Sequence, residues 1–460
     1  MCDMSSSEDN TLPDDAWKDS FDKLLEEKPI LREMKLLKRD VRASFNMNSS
    51  YENSCFGMTT NISERKLVYS EEETISNPKN ANRERESTRK ISLTVAAHRK
   101  SISNRKHSSL GTITKTNFKR QLLSRCNQRN VLLFANAYNE KYLENCEKIG
   151  EGAFGEVFLY RNSEGKERDN VVLKIIPIEG KQLVNGEAQK SFEQIMQEVV
   201  ISMELCGLRN ENRGMSFANG FVNIVAVRCV KGQYPAHLQK LWEEYDLEKE
   251  SENDHPECFS SDQIYVILEM AFSGKDMEKF IFQNAEQAFY ALKQIIFALA
   301  VGEDVYEFEH RDLHWGNVLI AKTDQKYFSY KIKGQSVNLA SKGVQVTIID
   351  YTLSRITYGD CCYFNDLSLD KDLFTATGDY QFDIYRMMRD ILNDKWDTFE
   401  PKTNIYWISY IISKLLNDVT YKSNRSKLHL QYIEKLRDLE STILSYKSCM
   451  DCAMSLLLDS

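Results

Sequence analysis

His310-Arg311-Asp312-Leu313-His314-Trp315-Gly316-Asn317-Val318-Leu319 decides how the rest of this chain is read. A carboxylate and an amide stand five positions apart, so one loop can present both to the same phosphate. Asp312 suits a general base that takes a hydroxyl proton, and Asn317 suits an oxygen donor to a hard cation. Further along, Ile348-Ile349-Asp350-Tyr351-Thr352 sets an acid directly after an apolar run, the place for a second cation ligand. By itself an aspartate after a strand is ordinarily a turn residue.

Upstream, Ile149-Gly150-Glu151-Gly152-Ala153-Phe154-Gly155-Glu156-Val157 is a GxGxxGxV stretch between two strand-like segments. Glycines let a backbone fold tightly over phosphates and offer N–H groups with no Cβ in the way. Alone the pattern is weak, because a glycine-rich hairpin is more often only a hairpin. It opens no helix, which argues against a dinucleotide fingerprint. Val171-Val172-Leu173-Lys174 then puts a lysine inside an apolar strand, which is costly unless the charge is paired. The following helix offers Glu198 beside Ile195 and Val199. Taken singly, Lys174 snorkelling from a strand end and a solvated Glu198 explain these residues as well. In this order the four elements form the protein-kinase arrangement. The set suffices for phosphoryl transfer: the loop Ile149 to Val157 and Lys174 hold ATP, Asp350 and Asn317 hold Mg²⁺, and Asp312 accepts the proton of a hydroxyl nucleophile.

Charge divides the 460 residues into three parts. Residues 1–78 carry 10 Lys/Arg against 16 Asp/Glu, residues 79–129 carry 14 against 2, and residues 130–460 carry 36 against 50. A basic arm is thus attached to an acidic body. Residues 1–130 are expected to be a largely disordered arm, basic from about 79, with one amphipathic stretch from Trp17 to Leu37 that reads as a transient helix. Residues 131–460 read as a kinase domain, its first lobe about 131–272 and its second about 273–460. Asn145 to Tyr160 alternates like strand–turn–strand, Val171 to Pro177 and Gln263 to Met270 read as strands, and Ser191 with Gln194 opens a helix in a capping-box pattern. The acidic stretch Glu243 to Glu257 interrupts the first lobe, and helical patterns predominate from Glu278 onward. The fold class is α+β: a bilobal kinase-like fold with a β-rich first lobe, an α-rich second lobe and a cleft between them. The N-terminus has no basic segment leading into an apolar run, and no apolar run approaches bilayer length, so a soluble, intracellular protein without membrane contact is expected. The 11 cysteines are scattered, and the Cys449 to Cys452 pair lacks a second CxxC, so free thiols are expected.

Departures from the general kinase pattern carry a closer resemblance. Leu313-His314-Trp315-Gly316 stands where most protein kinases read L-K-P-E, Asp350-Tyr351-Thr352 where DFG is usual, and no APE follows. Asp372-Leu373-Phe374-Thr375 leads instead to Gly378-Asp379-Tyr380-Gln381-Phe382-Asp383-Ile384-Tyr385-Arg386. With KIIPIEG from Lys174 and LVNGEAQKSFEQI from Leu183, the segment from about Glu144 to the C-terminus resembles the haspin family of serine/threonine kinases. The resemblance implies a nuclear, mitotic, monomeric enzyme acting on a threonine near the N-terminus of a histone tail of the H-three type. It also implies an adenine-binding hinge at Met270, Ala271, Phe272, Ser273 and Gly274, with Asp276, Tyr351 and Thr352 adjoining ATP. Ala271 stands where the family often has glutamate, so nucleotide affinity is expected to change more than activity. Matching acidic residues for a basic tail are Asp276, Glu278, Asp370 and Asp372, with His314 near the substrate hydroxyl. Two rival readings remain at this point: a small-molecule kinase of the aminoglycoside or choline type, which carries a similar HxDLHxGN loop, and a catalytically dead scaffold. The basic arm 79–129 reads either as a chromatin or nucleic-acid contact switched by phosphorylation at serines such as Ser101, Ser103 and Ser108, or as an import tail.

Overall fold

The computed structural model describes residues 110–458 apart from 163–164, 166–168 and 212–214, so the Trp17–Leu37 stretch and most of the basic arm lie outside the described residues. The body treated below is the compact unit Thr114–Ser460.

Apolar strands build the first lobe. Six strands form one sheet in the spatial order Leu132–Leu133, Ile224–Lys231, Ile264–Ala271, Val171–Ile178, Gly155–Tyr160 and Cys146–Gly152. All neighbours are antiparallel except the first pair. In the central strand, Leu173, Ile175, Ile176 and Ile178 are almost wholly buried, so the sheet is covered on both faces there. The strand register sets Lys174 opposite Val157 of the glycine-rich hairpin on one side and Leu268 on the other. Gly155 closes the hairpin because a Cβ there would stand 2.1 Å from the Ile175 carbonyl oxygen. The helix Phe192–Gly207 begins at the expected capping box: Ser191 accepts from the Gln194 N–H, and the Gln194 side chain accepts from the Ser191 N–H.

The second lobe is built around the helix Ala285–Tyr306, buried from Leu292 through Glu303, against which the helices Lys402–Asn417, Lys427–Ile443 and Cys449–Leu458 pack. A helix buried all round is apolar all round, as Ile295 to Gly302 is in sequence. The strands Val318–Lys322 and Val344–Ile348 pair antiparallel with Val318 opposite Ile348. One leaves the catalytic loop and the other enters Asp350, so their pairing brings Asn317 and Asp350 to one end of a ladder, and the Ile349 N–H donates to the Asn317 carbonyl at 3.0 Å.

Two differences from the sequence reading appear. The lobe expected to be helical after Glu278 carries a β-hairpin, Tyr327–Ile332 with Gln335–Ala340, joined to Phe217–Ala218. Burial alternates along its first strand, but its Lys333-Gly334 turn, left-handed at both residues, is a weaker signal than Asn-Gly. The second difference is the helix Leu110–Arg125, which falls inside the segment read as arm. Its Leu122 is fully buried, Arg125 pairs with Glu204 at 2.7 Å, and the following Gln128 exchanges two hydrogen bonds with the Cys229 backbone. Its five apolar residues, Leu110, Ile113, Phe118, Leu122 and Leu123, are set in a polar, basic sequence that did not mark it as part of the body. Among the described residues no helix is long and apolar enough to cross a membrane.

Candidate active site

Lys174 projects from its strand toward two carboxylates, with Nζ 2.9 Å from Glu198 and 3.0 Å from Asp350. Glu198 reaches this point because it lies on the buried face of its helix. Its other oxygen takes a second lysine, Lys190, at 2.9 Å. Burial alone would raise the Glu198 carboxyl, yet Lys174 and Lys190 together hold it below the usual carboxylate range. Burial likewise opposes ionisation of Asp350, and Lys174 overrides it, holding that carboxyl well below its usual range. The Lys174 ammonium, disfavoured by burial, is pushed above its ordinary value by Asp350 and Glu198. All three groups are therefore charged at neutral pH, as phosphate and metal binding require.

The catalytic loop is fixed from beneath. The His310 N–H donates to Asn404 at 3.0 Å, and its ring bonds the Ile349 carbonyl at 3.0 Å. Arg311, left-handed at φ 65°, is fully buried and forks onto Glu309, while donating to the Trp396 and Thr398 carbonyls. Asp350 is also left-handed, at φ 58°. Two non-glycine residues in this conformation flank the site, held there by the contacts around them. Asp312 receives a 2.5 Å hydrogen bond on Oδ1 from the phenol of Tyr385. Asn317 donates to the Asp312 carbonyl at 2.9 Å and lies 3.1 Å from the His314 ring. Burial raises the Asp312 carboxyl, with His314 and Tyr385 opposing the rise.

The structure thus joins Lys174, Glu198, Asp350, Asp312, Asn317 and His314 around one cleft. At the hinge, the Ala271 N–H donates to Asn223 and the Phe272 N–H to Asn170, while the Ser273 hydroxyl donates to the Ala271 carbonyl. Gly274 is required at φ +98°, where a Cβ would stand 2.2 Å from the Ile320 carbonyl oxygen. Asp276 ties to Lys279, and Asp370 and Asp372 are exposed. Asp370 lies close enough to Tyr385 to help raise its phenol. Two residues expected beside ATP point elsewhere. Tyr351 is buried in the core against Phe221, Phe308 and His310, its hydroxyl bonded to the Ile348 carbonyl. The Glu151 side chain faces the outer side of its loop, toward residues 251–252. Lys190 and Tyr385 were missed: both stand in stretches that carry the resemblance, but only folding shows what each touches.

A β-rich lobe and an α-rich lobe, with a lysine–glutamate pair, a loop base and two oxygen donors between them, define the protein-kinase-like class. Residues 32–450 match the model of the haspin-like kinase domain, and the chain belongs to that family. It is 52% identical over 339 residues to the serine/threonine-protein kinase haspin homolog of Drosophila melanogaster, covering 73% of this chain and 60% of that one. It is 41% identical over 343 residues to serine/threonine-protein kinase haspin of Mus musculus, covering 74% and 45%. To the haspin homolog of Arabidopsis thaliana it is 36% identical over 334 residues, covering 72% and 53%. The matched part therefore spans about half the length of these relatives.

Proposed function

We propose that this chain is an ATP- and Mg²⁺-dependent serine/threonine protein kinase that phosphorylates a threonine near the N-terminus of the H-three histone tail, in the nucleus during mitosis. The observation that carries the reading is Lys174 held between Glu198 and Asp350, across the cleft from Asp312 and Asn317. The donor set fits the cofactors. Asn317 and Asp350 offer hard oxygens only, and among the described residues no cluster of three or more His, Cys, Asp or Glu makes a complete metal cage. That suits Mg²⁺, which keeps waters and phosphate oxygens in its shell. Gly150 and Gly152 have open space where a Cβ would stand, leaving room for phosphates along the loop.

When bound, Mg·ATP supplies a charge-neutralised phosphoryl group open to in-line attack. The chain's own residues do the rest. Lys174 grips the phosphates while Lys190 keeps Glu198 in place. Asp312, with Oδ1 taken by Tyr385 and Oδ2 met only by the Asn317 amide at 3.5 Å, uses Oδ2 to orient the substrate hydroxyl and take its proton. Asp276, Glu278, Asp370 and Asp372 give the cleft the sign that attracts a basic tail, in keeping with the acidic excess of residues 130–460. The basic arm would add a chromatin contact. The test is transfer of labelled phosphate to a panel of histone-tail peptides, with aminoglycosides and choline as competing acceptors and Asp350→Ala as control. Transfer to the H-three tail, abolished in Asp350→Ala, is expected. Transfer to small alcohols instead, or none at all, would overturn the reading.

A further inference from the structure

The acidic stretch Glu243 to Glu257 has no place in the chemistry above, yet it lies against the glycine-rich loop. Its first part ends the helix Ala236–Lys249, which stops at Glu250 in a left-handed cap. The four residues that follow then run along the outer side of the loop. Glu151 accepts from the Glu252 N–H at 2.7 Å on one oxygen and from the Ser251 hydroxyl at 2.6 Å on the other. Asn253 is buried, and its amide lies within donor distance of the Gly152 and Gly155 carbonyls at 3.2 and 3.4 Å and of Glu156 at 2.8 Å. Lys148, its side chain fully buried beneath the Tyr245 and Trp242 rings, pairs with both Glu151 and Glu156. The loop tip is tied from a second direction. The Asn185 amide donates to the Ala153 carbonyl at 3.1 Å, and Asn185 and Asp254 exchange backbone-to-side-chain bonds at 2.8 and 2.6 Å.

We propose that residues 251–254 form a clamp on the phosphate-binding loop, with Asn253 and Glu151 as positioning residues for nucleotide. The inference rests on the kinase reading and adds how that site is ordered. A glycine-rich loop free in solution must lose backbone entropy when it closes on phosphates, and that loss weakens binding. Here the carbonyls at Gly152, Ala153 and Gly155 are drawn outward to side-chain donors. The polar side chain of the loop is also drawn outward, leaving its inner surface to the ligand. The loop is closed before nucleotide arrives. Lys190, over the Phe154 ring at 4.4 Å and bonded to Glu198, carries the same order on to the lysine–glutamate pair.

The experiment compares the full chain with Asn253→Ala, and Glu151→Ala with the conservative Glu151→Gln. Two readouts are taken: hydrogen exchange of amides 150–157 without nucleotide, and the affinity and KM for Mg·ATP. In Asn253→Ala, loop exchange should quicken and Mg·ATP affinity should fall about fivefold, the equivalent of about 1 kcal/mol of lost loop ordering. KM for ATP should rise in step while kcat at saturating ATP and KM for peptide hold within about twofold, a split that general loss of structure would not produce. Glu151→Gln, which keeps an acceptor, should recover part of what Glu151→Ala loses. Loop exchange unchanged in Asn253→Ala, or quickened with ATP affinity unchanged, would overturn the clamp. Wild-type protein that binds no Mg·ATP would overturn the kinase reading instead, with exchange alone then deciding whether the clamp holds the loop.

Discussion

The catalytic loop and the glycine-rich loop face each other across one cleft, and they are held to different degrees by buried groups. Beneath the catalytic loop lie fully buried charges: Glu309 and Arg311 have no exposed side-chain surface, and Asn404 and Ser354 close the remaining backbone groups of His310. The glycine-rich loop is held from outside by a mixed set, with Lys148, Glu156 and Asn253 buried but Glu151, at 15% side-chain exposure, and Ser251 reachable by solvent. The difference follows from what each must do. A general base has to stay within a few tenths of an ångström of its geometry through every turnover, so costly buried pairs are tolerated there. A loop that admits and releases nucleotide has to open, and solvent-reachable hydrogen bonds of about 1 kcal/mol each can break and re-form.

The largest effect should come from the catalytic loop itself. Asp312→Asn keeps the shape and the Tyr385 contact but removes the base, so turnover should fall by about 10²–10⁴ with ATP binding largely retained. Near-normal turnover would show that the base lies elsewhere. Next is the support below it. Glu309 accepts from Arg311, Thr403 and the Glu400 N–H, so Glu309→Ala leaves Arg311 as a buried unpaired charge. Breaking such a pair costs about 3–5 kcal/mol, a large part of a domain's stability, and denaturant unfolding should register it. A loss under about 1 kcal/mol would mean that the Trp396 and Thr398 carbonyls satisfy the guanidinium unaided.

A smaller effect is expected at Tyr385. Its hydrogen bond favours the ionised form of Asp312 against burial, which raises the carboxyl. In Tyr385→Phe that support is gone, so the Asp312 carboxyl should rise further. Activity depends on the deprotonated base and is lost as pH falls through its pKa, so the acid limb of the kcat profile should move to higher pH. Turnover well above that limb should fall only several-fold, about 1 kcal/mol of barrier. An acid limb that stays in place would reduce Tyr385 to a packing residue.

How much of this was legible depends on whether a residue's role lies in its own chemistry or in its neighbour's. Lys174, Glu198, Asp312, Asn317 and Asp350 stood out in sequence because a phosphate site needs those groups in that order. Tyr385, Lys190, Asn404 and Asn253 did not, because a phenol, an amine or an amide acquires a role only from the distant group it meets. Adjacency in sequence also did not show where two side chains point. Tyr351 follows Asp350 yet points into the core, where the left-handed turn at Asp350 sends it, and Glu151 sits between two glycines of the loop yet points toward residues 251–252. The α+β class and the strands Asn145 to Tyr160, Val171 to Pro177 and Gln263 to Met270 were readable from apolar patterning. The hairpin Tyr327–Ala340 and the helix Leu110–Arg125 were not, because an unremarkable turn and a single buried leucine pair carry too little pattern.

The smallest expected effect is none at all, and it tests the buried side of the comparison. In many kinases the arginine before the catalytic aspartate waits for a phosphate on the activation segment, and the segment orders when the two pair. Here Arg311 is fully buried and already paired with Glu309, so it is not free to read a phosphate. The segment after Asp350 is stitched back onto the loop without one. Glu309 bridges Arg355 through the backbone, Ser354 donates to the His310 carbonyl at 2.9 Å, and Arg355 donates to the Glu307 and Asp397 carbonyls. Thr352, in place of the usual glycine, removes the backbone freedom on which a pivot of Asp350 would depend. Exhaustive phosphatase treatment, or replacement of the exposed Thr375 and Thr377 by alanine, should therefore leave turnover unchanged within about twofold, since no charge pair is lost. Loss of activity on dephosphorylation, restored by rephosphorylation at either threonine, would mean that the buried pair does not replace the phosphate. The Glu309–Arg311 contact would then be structural only.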